Sequence, residues 1–330
     1  MTSAALTVGS ALVAFGPLIS IFFMVLYPKA QLVIIVTTAA FFFLLSGVGA
    51  SIVWWLFALV QLDGVVAVLL PGVLAQFMGR CSFVALYHRV EKVIRLSLEE
   101  EDARANGSVR QHNSTTDQDL AEYDENWTAA AKLRLQLNDA SCGVAAGIGF
   151  GGMHAIMLYG SLLASEAGNA GVLYQDSCPM IPSLAQSAVV ALCYSVMDIF
   201  WMLLTFFGMR RRLLYHRGRE FEDNIRGFGA YMGNSRSGGN LALLFVLISH
   251  LGSSVVTTLT SLDGGCVVSL PLLVVLTLIT GYTFWAGTAR IYMPPENSNE
   301  SISRTASRIS AAAAGDVTDD SDPVTHYRAE

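Results

Sequence analysis

The segment CGVAAGIGFGGMHAIMLYGSLLA, residues 142–164, contains no Asp, Glu, Lys or Arg and is long enough to cross a membrane as a helix. Small residues recur in it at every fourth position, at Gly143, Gly147, Gly151 and Ala155. Because residues four apart share one face of a helix, these positions form a smooth groove. The pattern predicts that another helix packs against this groove at short distance.

Two interpretations of the groove fit the sequence. Lipid tails give no hydrophobic drive for helices to associate, so packing over small residues is a main source of affinity between spans. In one interpretation the groove packs only against other helices of this protein. In the other it docks a helix from a different protein.

The composition around this segment predicts an all-α integral membrane protein. The 330-residue chain is 53% hydrophobic and only 14% charged, whereas soluble domains carry about 25% charged residues. Its apolar stretches are unbroken, unlike the alternating strands of a β-barrel. We interpret the first stretch as a retained span, because no basic region precedes it. Seven such stretches within a membrane domain of residues 1–290 lie near residues 4–27, 31–61, 65–87, 142–164, 181–208, 240–262 and 266–289.

The basic residues predict the orientation of this seven-helix bundle. Of the 20 Lys and Arg residues, seven lie between the third and fourth spans, seven follow the fifth, and four lie at or beyond the end of the seventh. The second, fourth and sixth connections contain none. The positive-inside rule then places the N-terminus in the lumen or outside the cell and the C-terminus in the cytosol. The net charge of −6 argues against nucleic-acid binding.

Two polar segments are predicted to be disordered on the cytosolic side. Residues 96–126 form an acidic loop insertion without apolar periodicity, and residues 291–330 form a Ser-, Asp- and Ala-rich tail. Residues 127–139 are predicted to form a short helix that leads into the fourth span. Four glycosylation sequons, at Asn106, Asn113, Asn126 and Asn299, lie on this predicted cytosolic side. Because no glycan is added in the cytosol, a glycan on any of them would contradict the orientation.

Two of the five cysteines, Cys178 and Cys266, lie in or beside predicted lumenal connections. That compartment is oxidising, so a disulfide between them is one interpretation. Two free thiols at the ends of spans are the alternative.

Motifs of catalysis are missing from the sequence. It has no HExxH zinc motif, no P-loop and no dinucleotide-binding fingerprint. An intramembrane aspartyl protease needs two Asp residues within its spans, and only Asp198 lies deep in one. We therefore expect a non-catalytic protein without a cofactor or metal.

Polar side chains inside spans are costly and need partners. Five are notable: Gln76, Arg80, His154, Asp198 and His250. Asp198 is predicted to pair with another polar group, for which His250 is one candidate, and Arg80 is long enough to extend towards the cytosolic face. In one alternative, each of these polar side chains bonds separately to hydroxyl groups or water. In another, the side chains together form a path for protons or ions.

Five motifs resemble the anterior-pharynx-defective subunit family of gamma-secretase. The most specific is GIGFGGMHA at 147–155, which is similar to the family's GLGFGxxSG. The other four are AFGP at 14–17, AAFFFLLSGVGASIVWW at 39–55, QFMGRCSF at 76–83 and LISHLGSS at 247–254. The resemblance extends over roughly residues 10–290. It implies a seven-span, non-catalytic scaffold that assembles with a presenilin-type aspartyl protease, nicastrin and a presenilin enhancer subunit among membrane lipids.

The resemblance assigns assembly roles to particular residues. Gly147, Gly151 and Ala155 match the glycine face that the family uses for assembly, and His250 matches one of its two functional histidines. Asp198, in MDIFW, stands where the family has the other histidine, and Phe77 stands where it has an acid. These departures suggest a divergent member.

A seven-span receptor or small-solute carrier is the alternative function. Short lumenal connections disfavour a receptor, and a carrier usually shows inverted repeats. For either function the expected location is the endoplasmic reticulum, Golgi, plasma membrane or endosomes.

Overall fold

The computed structural model describes residues 4–59, 64–111, 139–166, 172–216 and 236–289. The described residues contain seven helices long and apolar enough to span a membrane, which confirms the predicted all-α membrane fold. They are α1 (Ala4–Ile21, extended by a π-helical turn at Phe22–Leu26), α2 (Ala30–Leu59), α3 (Val65–Gln111), α4 (Asp139–Ala155 and Ser161–Glu166, joined by a π-helical turn at Ile156–Gly160), α5 (Ser183–His216), α6 (Arg236–Thr258, followed by a 3-10 turn at Leu259–Ser261) and α7 (Cys266–Phe284, extended by a π-helical turn at Trp285–Ala289).

A short antiparallel hairpin precedes α5 and was not predicted from the sequence. Its strands are β1 (Tyr174–Gln175) and β2 (Cys178–Pro182). Strands this short give too little alternation for a sequence pattern. The structure joins Cys178 to Cys266 at the start of α7 by a disulfide, with the two Cα atoms 5.5 Å apart. The hairpin is therefore tied covalently to the last span.

The two middle helices form the core of the bundle. The most apolar segment of α4 is 61% buried and that of α5 is 67% buried, whereas those of α1 and α7 are each 17% buried. Helix α4 packs against α2 on one side and α5 on another, and α5 also contacts α1, α6 and α7. The many small residues of α4 let two neighbours approach its backbone, because no side chain holds them away.

Helix α3 extends well past the predicted end of the third span, to Gln111. The prediction of disorder is therefore wrong for residues 96–111. This stretch is rich in Leu, Glu, Ala and Arg, which are strong helix formers. It also continues an existing helix, so no new helical nucleus is needed. The remainder of the predicted insertion, most of the predicted 127–139 helix and the 291–330 tail lie outside the described residues.

Candidate functional site

The glycine face of α4 lies directly against α5. A methyl group built on Gly147 would lie 2.5 Å from the Cα atom of Ile199. One built on Gly151 would lie 2.8 Å from the carbonyl oxygen of Ser195. Such distances are closer than side-chain carbons approach backbone atoms, so only glycine fits.

Gly143 extends this contact by one more turn. A methyl group there would lie 2.8 Å from Leu203 Cδ2. We call Gly143, Gly147 and Gly151 with their α5 contacts the glycine seam. Since α5 of the same chain fills the groove, the interpretation that this face docks a helix from another protein is wrong for these glycines. Ala155, the fourth small residue of the row, is completely buried.

A further glycine, which the sequence reasoning missed, packs on the opposite side of α4. A methyl group on Gly149 would contact the carbonyl oxygen of Val36 and lie 2.9 Å from Ala39 Cβ, both on α2. Residues 147–152 hold several glycines in succession, so the sequence did carry a signal for a second close contact. Helix α4 is thus held between α2 and α5 at nearly backbone distance.

The five predicted intramembrane polar residues meet in one buried group, which we call the polar cluster. The Arg80 guanidinium on α3 donates a hydrogen bond to the Asp198 carboxylate on α5, and both side chains are fully buried. His154 on α4 donates from Nδ1 to the other oxygen of Asp198 at 2.8 Å. Three helices therefore meet at one carboxylate, whose negative charge is balanced by a guanidinium.

Arg80 also connects the cluster to α6. Its Nη1 lies 3.3 Å from Nδ1 of His250, and its Nη2 lies 3.4 Å from Oε1 of Gln76. Asp198 has the partners that its burial requires, but the candidate contact with His250 is not direct, because Arg80 bonds both residues and links them. Arg80 does not extend towards the cytosolic face, since a counter-charge at its own depth removes the need to reach water.

Aromatic rings enclose the Arg80 guanidinium. Its central carbon lies 5.3 Å from the Phe150 ring centre and 5.0 Å from that of Trp201, within the range of cation–π attraction. Trp201 is fully buried, donates from Nε1 to Ser249 Oγ at 2.8 Å, and has its ring centre 4.6 Å from that of His250. The contact between Trp201 and Arg80 could not be predicted from the sequence, because it depends on how α3 and α5 are placed.

A polar cavity of about 650 Å³ leads from the β1–β2 hairpin to the polar cluster. Gln175 and Ser183 lie on its wall at the hairpin, and His154 and His250 lie on its wall at the cluster. Hydroxyl and amide groups from α3, α4, α5 and α6 line the space between. A cavity of this size and polarity can hold water.

A second ionic group, not predicted from the sequence, joins the middle of α3 to the start of α4 and the last part of α5. Arg210 donates to Asp139 at 2.5 Å and to Glu91 at 2.6 Å, while His88 Nδ1 lies 3.4 Å from Glu91. His88, Glu91 and Asp139 are close enough together to hold a metal ion. The Arg210 guanidinium already balances the carboxylates, so we interpret this group as a clamp between helix ends.

The geometry around Asp198 does not resemble a catalytic pair. Both of its oxygens accept hydrogen bonds, one from Arg80 and one from His154. Aspartyl proteases need two facing carboxylates, and within the described part of the chain no second carboxylate is bonded to Asp198. The arrangement favours a role in holding helices together.

Comparison with known proteins agrees with the membrane fold. The profile of the Aph-1 protein family matches residues 5–290. A protein of Arabidopsis thaliana named gamma-secretase subunit APH1-like is 26% identical over 288 residues, which cover 83% of this chain and 88% of that relative. With its seven apolar helices and a family match over nearly its whole length, the chain belongs to the Aph-1 family of gamma-secretase subunits and is an integral multi-pass membrane protein.

Proposed function

We propose that this protein is a non-catalytic scaffold of a gamma-secretase-like intramembrane protease complex. In this proposal it binds a presenilin-type aspartyl protease, nicastrin and a presenilin enhancer subunit through packing of membrane helices. The complex would lie in the endoplasmic reticulum, Golgi, plasma membrane or endosomes. The observation that carries the proposal is a buried core, formed by α4 and α5, packed against helices whose outer faces are exposed.

These outer faces hold glycines with no neighbour in the described structure. Methyl groups built on Gly9 and Gly16 of α1, or on Gly47 and Gly49 of α2, would have no atom within 4 Å. Gly costs helix stability relative to Ala, so a glycine on an outer face needs a reason. Close approach by a helix from a partner is such a reason.

The test is purification of the tagged full-length protein from its own cells in a mild detergent, with mass spectrometry of what accompanies it. We expect an aspartyl protease with two intramembrane aspartates, together with a single-span glycoprotein. Recovery of this chain alone at good yield would contradict the proposal.

Variants on the outer faces sharpen this test. Gly16→Leu and Gly47→Leu should leave the isolated protein as stable as the wild type but reduce the partners that are recovered. Val48→Leu is the matched control, because Val48 is already a large side chain that is 59% exposed beside Gly47. If all three variants recover partners normally, these faces are not where partners bind.

We also propose the orientation that the basic residues indicate, with the N-terminus lumenal or extracellular and the C-terminus cytosolic. A glycosylation sequon placed in the β1–β2 turn should then acquire a glycan, and native Asn299 should not. A glycan on Asn299 would reverse the proposed orientation.

A small-solute carrier is the second candidate, and the polar cavity is the observation that favours it. However, His154 and His250 on the inner wall of the cavity are bonded to Asp198 and Arg80, whose side chains are fully buried, so a solute that passed further would have to break this ion pair. Flux of small polar solutes into proteoliposomes that contain this chain alone would favour the carrier.

A further inference from the structure

Among the described residues, few hydrogen bonds hold the β1–β2 hairpin apart from its own ladder. The N–H and the hydroxyl of Ser183 both donate to the carbonyl oxygen of Leu173 at 2.9 Å, which closes the base of the hairpin. Tyr174 and Met180 point outward, with 54% and 89% of their surfaces exposed. Since an isolated two-stranded hairpin is marginally stable, this short ladder would not fix its position by itself.

The disulfide supplies the missing anchor. Cys178 is completely buried and Cys266 is 3% exposed, so reductants have little access to either sulfur. The bond connects segments 88 residues apart in the chain, and α7 in turn is bonded to α6 where Ser269 Oγ donates to the Val256 carbonyl at 3.0 Å. A buried, long-range disulfide of this kind is typical of a permanent structural bond and not of a redox switch.

The anchored hairpin lies at the mouth of the polar cavity. Gln175 of β1 and Ser183, directly after β2, are part of the cavity wall. The next polar residue inward, Gln186, is 5% exposed, and its Oε1 atom has no hydrogen-bond partner among the described groups. A buried amide oxygen of this kind costs free energy unless a donor such as water reaches it.

We propose that the β1–β2 hairpin is a covalently anchored strap across the mouth of the polar cavity, and that the Cys178–Cys266 disulfide limits the access of water and polar solutes to His154 and His250. Without the disulfide the strap moves away from the cavity, because the remaining ladder and the Ser183–Leu173 bonds are too few to hold it. With the disulfide, the cavity keeps its polar wall but exchanges its contents slowly.

The experiment measures how fast a small charged thiol reagent reaches the cavity. Ser254, on α6 in the cavity wall, is replaced by Cys in the full-length protein in lipid nanodiscs, and Cys81 and Cys193 are replaced by Ala. The rate at which a methanethiosulfonate reagent modifies position 254 is then compared with and without the substitutions Cys178→Ser and Cys266→Ser. We expect modification to be about tenfold faster without the disulfide, as for a locally opened segment.

Native Cys142 is the internal control. It is completely buried on α4, away from the cavity wall, so its rate of modification should not change. Equal rates at position 254 with and without the disulfide would overturn the proposal. A parallel rise at Cys142 would overturn it too, because the bundle as a whole would then have loosened. If the double serine variant does not fold, the double variant Cys178→Ala with Cys266→Ala, whose apolar side chains suit these buried positions, gives the same comparison with the same outcomes.

Discussion

The glycine seam and the polar cluster join the same two helices, α4 and α5, by opposite means. In the seam, side chains are absent, and the backbone of α4 meets Ile199 and Ser195 directly. One hydrogen bond crosses the seam, from Ser195 Oγ to the Gly151 carbonyl at 3.0 Å. In the cluster, the Asp198 carboxylate on α5 accepts hydrogen bonds from side chains of α3 and α4, and the Arg80 guanidinium connects it to α6.

This difference shows how each region depends on the other. Dispersion and shape hold the seam together, so it fails when volume is added. Charge balance holds the cluster together, so it fails when one partner is removed. The close approach that the seam allows brings His154 within hydrogen-bond reach of Asp198, since both lie one turn or less from seam residues.

The largest effect is expected from Gly147→Leu. The added side chain meets the backbone of Ile199, which cannot move away as a flexible side chain could. The loss should exceed the ~1–3 kcal/mol of ordinary overpacking, so little folded protein should be recovered by size-exclusion chromatography in detergent.

Gly152→Leu is the matched control for that experiment. Gly152 is on the same helix, but a methyl group built there has no atom within 4 Å. The melting temperature of the Gly152→Leu variant should therefore remain close to that of the wild type. Similar losses in Gly147→Leu and Gly152→Leu would mean that the close contact of Gly147 with Ile199 is not what makes the substitution costly.

The next largest effect is expected from Asp198→Asn, which leaves the Arg80 charge buried without a counter-charge. Removal of one partner of a buried ion pair costs about 3–5 kcal/mol. Thermal unfolding of the detergent-solubilised protein should show a large fall in melting temperature. Combining Asp198→Asn with Arg80→Met should recover part of the loss, and a purely additive double variant would contradict the ion pair.

A smaller effect, and a sharp test of connectivity, comes from exchanging two residues. Arg80 contacts both positions, so in Asp198→His combined with His250→Asp the new carboxylate should restore part of its counter-charge, and the double variant should be more stable than Asp198→His alone. Melting temperatures of the two single variants and the double variant decide the point. No gain over Asp198→His alone, or a gain that persists when Arg80→Met is added, would contradict the bridging position of Arg80.

The smallest effect is expected from Ser195→Ala, which removes the hydrogen bond across the glycine seam while leaving its shape unchanged. Hydrogen bonds between membrane helices contribute on the order of 0.6 kcal/mol. The shift in melting temperature should be small but in the destabilising direction. A loss as large as that of Asp198→Asn would mean that the seam is held by polar contacts, like the cluster.

Several features of the fold and the candidate site could be predicted from the sequence. Unbroken apolar runs identified the seven spans, because the thickness of a bilayer fixes the length of a spanning helix. The four-residue spacing of Gly143, Gly147 and Gly151 identified a close helix contact. The cost of burying polar groups marked Gln76, Arg80, His154, Asp198 and His250 as residues that need partners.

The partners themselves could not be predicted, because each depends on which helices are neighbours. The sequence gives no depth or rotation for α3 relative to α5, so Arg80 was not recognised as the partner of Asp198. In the same way, the choice between α5 and a foreign helix for the glycine seam depends on which surface lies opposite. The extension of α3 to Gln111 was missed because helix continuation depends on the packed span before it and not on apolar periodicity.

The sequence by itself thus determined that the protein spans a membrane seven times, where its helices approach closely and which side chains must be satisfied inside the bilayer. These properties follow from local length, spacing and solvation cost. Only the tertiary structure decided that α5 fills the glycine seam, that one carboxylate and one guanidinium hold four helices, and that the Cys178–Cys266 bond ties the hairpin to α7. Those contacts join residues far apart in the chain, and their geometry is set by the packing of whole helices.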